Sequence, residues 1–123
     1  MADSEVIINS DQIARDILLD KTFHCEWQDA YFSGTDQYTF NFVSLELVRA
    51  RVTNSECTGT ALFKGQFDGS QLKGIVSGYR PNCGLITTSK SFFQKADGSY
   101  YYTGFYESHI YNAPGVFRCK PTQ

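Results

Sequence analysis

From Thr22 to Lys120 the chain alternates apolar and polar residues in short runs, and turn residues rather than helices separate those runs. In "KTFHCEWQ", Phe23, Cys25 and Trp27 alternate with Thr22, His24, Glu26 and Gln28. In "QYTFNFVS", Tyr38, Phe40 and Phe42 share a face, and in "LELVRARV", Val48, Ala50 and Val52 oppose Arg49 and Arg51. The runs "ALFKGQF", "SQLKGIVSGY", "LITTSKSFFQK", "SYYYTGFYESHIY" and "VFRCK" follow. Asp68-Gly69 and Asp97-Gly98 are hairpin signals, and the first reads as a type I′ turn with positive φ at both central residues. "RPNCG" and "NAPG" are longer breaks.

About eight strands without a helical crossover predict an antiparallel meander. A sheet of that size closes into an up-and-down barrel, which removes its edges and leaves an interior that side chains fill or that holds one small ligand. A two-layer sandwich is compatible with the same periodicity. Gly65, Gly74, Gly78 and Gly104 fall inside the strands, where sharp curvature explains them. Aromatic residues make up 15% of the chain, and they suit a pleated, half-buried surface.

A single stretch reads as helical. In "NSDQIARDILLD", Ile13, Ile17 and Leu18 recur at helical spacing, Asn9 or Ser10 serves as the cap, and Gln12 stands where a capping-box partner of Asn9 would. The expected fold is therefore mainly all-β: one domain over residues 1–123, with residues 1–9 flexible, a short helix over 10–19 and an eight-stranded antiparallel barrel.

A formal charge of −2 with scattered basic residues gives no field for a phosphate backbone, which argues against nucleic acid as a partner. No apolar run approaches the roughly 20 residues that span a bilayer, and the early "VII" is too short for a signal peptide. The chain as given reads as soluble. Cys25, Cys57, Cys83 and Cys119 have no CxxC and no histidine at ligand spacing, so neither a metal site nor a dithiol redox motif is assigned. They are either reduced core residues or two disulfides of an exported, secreted or periplasmic protein. Four cysteines allow three connectivities. In a barrel whose first and last strands are neighbours, Cys25 with Cys119 and Cys57 with Cys83 is the favoured set.

The short helix leading into "KTFHCEW", Trp27 on the first strand, the repeated hairpins and the paired end cysteines resemble calycin-like small barrels, the lipocalin-like and avidin-like class. Where a lipocalin's first strand usually carries Gly two residues before its Trp, this chain has Cys25. The resemblance implies capture of a small apolar or amphipathic molecule at the barrel mouth, without chemistry.

Nothing in the sequence assigns a catalytic residue or a cofactor. His24 with Glu26 could form an oriented base, but a solvated pair is the simpler reading. "ESH", Glu107 to His109, holds triad residue types whose alternation sends Ser108 to the opposite face. The tyrosines carry more. Tyr100, Tyr102, Gly104 and Tyr106 share one face of their strand, and Tyr101, Thr103 and Phe105 the other.

Three functional readings follow. The first is a non-catalytic barrel that binds a small molecule, with Trp27, Phe40, Tyr100, Tyr102 and Tyr106 as lining. The second is a protein-interaction module of inhibitor, immunity or adhesion type, using an exposed tyrosine strip and the 77–84 loop with Tyr79 and Arg80. The third is a small isomerase or cyclase with His24 or His109 as base.

Overall fold

The computed structural model describes residues 3–79, 83–110 and 113–122. A two-residue strand β1 (Ser4–Glu5) precedes helix α1 (Asp11–Leu18). Eight strands follow: β2 (Thr22–Asp29), β3 (Ser33–Ser44), β4 (Leu47–Asn54), β5 (Ala61–Asp68), β6 (Gln71–Ser77), β7 (Ile86–Gln94), β8 (Tyr100–Ser108) and β9 (Pro114–Pro121). Hydrogen bonding runs in the order β1-β7-β6-β5-β4-β3-β2-β9-β8, and β8 pairs back onto β7. Strands β2 to β9 are thus a closed antiparallel barrel, not a sandwich, and β2 meets β9 at the seam.

The extra strand has a clear physical role. β6 leaves β7 at Ser91, and β1 takes up the exposed edge just beyond, pairing Ser4 with Gln94 and Glu5 with Phe93. An uncovered edge is a template for unwanted pairing. Val6 N–H adds a bond to the Phe92 carbonyl, Ile8 N–H donates to Ser70 Oγ, and Ile8 is buried. The described part of segment 1–9, read from sequence as flexible, therefore lies along the barrel.

Helix α1 closes one end. Ser10 is its cap and accepts from the Ile13 N–H, whereas Gln12 bonds forward to Asp16 and makes no capping box. Ala14, Ile17 and Leu18 are buried in the barrel core, and Asp11 holds the β3–β4 turn through the Leu45 N–H. The helix is a plug whose apolar face completes the core.

The Asp68-Gly69 turn differs from the type I′ expectation. Asp68 pairs with Gln71, so Gly69 and Ser70 are the central residues, and of the two only Gly69 has positive φ. That is the pattern of a type II′ turn, which needs glycine at its first central position alone. At the other signal, Lys95 pairs with Ser99 around a three-residue loop with Gly98 at φ 89°.

Inside the barrel, Phe23, Phe40, Phe63, Phe92 and Tyr102 pack edge-on or tilted against one another. Gly104 gives this core room, because a Cβ there would run into the Ser89 carbonyl oxygen and the Phe117 ring. The strand cannot retreat from its own neighbour. Gly104→Ala is expected to lower the unfolding free energy by about 1–3 kcal/mol or more, read by chemical denaturation; an unchanged midpoint would show that the curvature does not depend on this glycine.

Both favoured disulfides are present. Cys25 and Cys119 face each other across the β2–β9 seam, with Cα atoms 4.0 Å apart, inside the barrel. Cys57 and Cys83 join the β4–β5 connection to the β6–β7 connection.

A candidate binding site at the barrel mouth

The end opposite α1 gathers the β2–β3, β4–β5, β6–β7 and β8–β9 connections, and there the core does not fill. A cavity of about 180 Å³ remains between the strand ends. Trp27, Tyr38, Tyr106 and Phe117 form its walls; Phe32, Glu56, Tyr79 and the Cys57–Cys83 bridge form its rim. Asp36, Asn54, Thr88 and Ser108 supply polar atoms, and Asp29 stands at the end of β2.

Local register aims the aromatic walls. Trp27 lies opposite Gly34 on β3, and a Cβ at Gly34 would come within 2.6 Å of the indole Cζ2. Tyr106 lies opposite Gly115 on β9 in the same way, its ring occupying the space a side chain would take. Each glycine lets a large ring lie over the neighbouring strand. The two rings meet edge to face, centroids 5.8 Å apart. Tyr106 O–H donates to Asp29 Oδ2 at 2.9 Å, while Asp29 Oδ1 accepts from the Tyr31 and Phe32 N–H groups. Partial burial opposes the Asp29 charge, but those three donors outweigh it and hold the carboxyl below its ordinary value. Burial, and then the Asp29 carboxylate, push the Tyr106 phenol up.

Beneath the cavity lies a charged group no sequence reading singled out. Lys90 follows Thr88 on the inward face of β7 and has no exposed surface. Its Nζ donates to Thr88 Oγ1 at 2.7 Å and sits 4.4 Å from the Tyr38 ring centroid, 4.5 Å from that of Phe63, 5.1 Å from Phe117 and 5.7 Å from Tyr102. Four aromatic faces thus replace part of its lost hydration. The opposing charge is Asp36. Burial pushes its carboxyl up to about 7, against the pull of the Lys90 charge, Asn54 and Trp27. Burial likewise brings the Lys90 ammonium down to about 7, against the pull of Asp36. Asp36 Oδ1 and Trp27 Nε1 are both shut off from solvent and neither makes a hydrogen bond of good geometry, although the indole and the Asn54 amide lie close enough to pull on the carboxyl. Weakly bonded polar atoms of this kind are costly in an apolar surround.

The even-numbered tyrosines face inward, but they divide by depth. Tyr106 lines the cavity; Tyr102 is fully buried in the packed core, its hydroxyl 3.5 Å from Cys25 Sγ; Tyr100 packs partly buried toward the α1 end. Phe40 belongs to the same packed core as Tyr102. Of the five residues read as lining, the structure brings Trp27 and Tyr106 to the cavity. Tyr79, read as a partner-binding loop residue, is 8% exposed and turns into the cavity; Arg80 lies outside the described residues. On the outer face, Tyr101 stacks on Phe93, donates to Asp3 and lies under the Arg118 guanidinium, while Phe105 is 67% exposed. His24 and His109 are not among the lining residues, which takes away the base that the isomerase reading needs.

Among the described residues no cluster of His, Cys, Asp and Glu has the arrangement of a metal site, and no helix is long and apolar enough to cross a membrane. Comparison of the chain with protein-family models, curated proteins and solved structures gives no match.

Proposed function

We propose that the protein is a non-catalytic binding barrel that holds one small amphipathic molecule in the cavity at its mouth. The observation that carries this reading is the cavity itself: about 180 Å³, walled by Trp27, Tyr38, Tyr106 and Phe117, with Asp36, Asn54, Thr88 and Ser108 as its few polar side chains. Binding sites are mostly apolar with a few placed polar groups, and this site has that balance. An apolar cavity of about 150 Å³ accepts benzene, so the occupant is the size of a single ring with short substituents. The closed barrel with one plugged end is consistent with the calycin-like architecture that the sequence resembles.

The interaction reading has less to stand on. It needed a tyrosine strip outside the barrel, whereas Tyr100, Tyr102 and Tyr106 point in and Tyr79 is buried.

Trp27 is the chain's one tryptophan and it lines the cavity, so intrinsic fluorescence reports occupancy directly. Titration with single-ring amphipathic compounds is expected to shift or quench that emission, and native mass spectrometry of gently purified protein is expected to show a matching adduct. In Val76→Phe, which places bulk in the cavity from a buried wall position, both signals should fall at least about tenfold, a loss of about 1.4 kcal/mol in binding. Binding undiminished in that variant would place the ligand elsewhere and sink the reading.

A further inference from the structure

The lining has a one-sided charge inventory. Asp29, Asp36 and Glu56 contribute carboxyls, and among the described lining residues there is no Lys, Arg or His. Lys90 lies a layer deeper, behind Thr88, and opposes Asp36. Even with that pair counted as neutral, Asp29 and Glu56 leave the mouth negative. Low-dielectric walls concentrate such a field, because aromatic rings screen charge far less than water does.

The aromatic faces select in the same direction. The faces of Trp27, Tyr38 and Tyr106 carry the negative pole of the ring quadrupole and attract a cation while repelling an anion. Lys90, ringed by four aromatic groups, shows that this barrel already solvates one ammonium by that means. Asp36 lines the cavity and makes no ion pair within 4 Å among the described residues, so an ammonium in the cavity would give its carboxylate a charge-assisted partner.

From these observations we propose that the ligand is a small organic cation: a protonated amine on a single ring or a short apolar body, its ammonium directed at Asp36 and its body held between Trp27 and Tyr106. This rests on the binding reading above and narrows it to one chemical class. An apolar cavity alone would favour the neutral isostere, whereas carboxyls and aromatic faces shift the preference toward the cation.

The test uses three molecules of similar shape, 2-phenylethylamine, 2-phenylethanol and 3-phenylpropionate, titrated against Trp27 fluorescence and by calorimetry at pH 8 and low salt, where Asp36 is ionised and the amine still protonated. The amine is expected to bind about tenfold or more tighter than the alcohol, and the carboxylate weaker than both. Asp36→Asn is expected to shrink the amine-to-alcohol ratio to about threefold or less. Glu56→Gln, at an exposed rim position where folding is not at risk, should shrink it by a smaller factor, and added salt should do the same. An alcohol or carboxylate that binds as tightly as the amine overturns the cation inference and leaves the binding barrel standing. A ratio unchanged in both variants also overturns it, because the preference would then not arise from these carboxyls. Failure of all three molecules to bind would overturn the binding reading along with it.

Discussion

Replacing both members of the buried pair, Asp36→Asn together with Lys90→Met, is expected to raise the unfolding free energy at pH 7 by roughly 1–4 kcal/mol. The pair is charged in the unfolded chain, where water solvates it, and it is stripped of that water in the barrel. Its mutual attraction and the four rings around Lys90 recover only part of the loss, as the displacement of both groups toward 7 shows. In the folded chain Asp36 keeps its proton up to about pH 7, and in the unfolded chain only to about 3.8. Folding therefore takes up a proton in that window, and stability that is complete below about pH 3.8 drains away as pH rises to 7.

Lys90 is the mirror case. Its folded form loses the proton above about 7 and its unfolded form above about 10.5, so stability returns as pH rises through that second window. The two slopes meet in a minimum near neutrality. Burial holds the neighbouring phenols, Tyr38, Tyr79, Tyr102 and Tyr106, above their ordinary value of 10.0, so none of them titrates within the first window. Urea unfolding at pH 5, 7 and 9 should show the double variant's advantage largest at pH 7. Lys90→Met alone should compare best with the wild type at pH 5 and lose ground steadily to pH 9, because Asp36 then has no cation to oppose it. A flat difference across the three pH values would show that the pair does not titrate as its burial requires.

Removing the seam disulfide, Cys25→Ala with Cys119→Ala, should lower the unfolding free energy by about 4–5 kcal/mol, and removing Cys57–Cys83 should lower it by about 3–4 kcal/mol. The difference follows from loop length. The first bond spans 94 residues and so restrains almost the whole unfolded chain; the second spans 26. The seam bond also joins the two strands that are farthest apart along the chain and whose pairing closes the barrel. Their functional consequences should be reversed. Cys57–Cys83 ties two rim connections at the cavity, so its loss should weaken ligand binding more than loss of the seam bond does once both variants are compared where they are fully folded. Equal destabilisation by the two removals would show that ring size is not what sets the gain.

Much of this was readable from the residues in order. Alternation across "QYTFNFVS" and "SYYYTGFYE" determines which side chains share a face, because successive Cβ atoms in a strand point opposite ways. The same parity already placed Asp36 with Tyr38 and Phe40, and Lys90 with Phe92 and Thr88, on faces that had to be inward. A charged residue in a strand is usually solvated, and a sequence gives no measure of how deep in a barrel a position falls. Depth likewise separated Tyr102 from Tyr106, two residues of one face and one type. Tyr102 sits at the level the core fills, and Tyr106 at the level it leaves empty.

The sequence by itself thus determined the eight barrel strands, their facing and the helix, but not the edge strand β1. These depend on local sterics and on turn residues, which act over a few positions. Only the tertiary structure decided that Asp36 and Lys90 lie within each other's field, that Tyr79 turns inward, and that a cavity survives at one end while α1 fills the other. Those outcomes depend on strand register and stagger around a closed ring, which set the relative depths of residues distant in the chain.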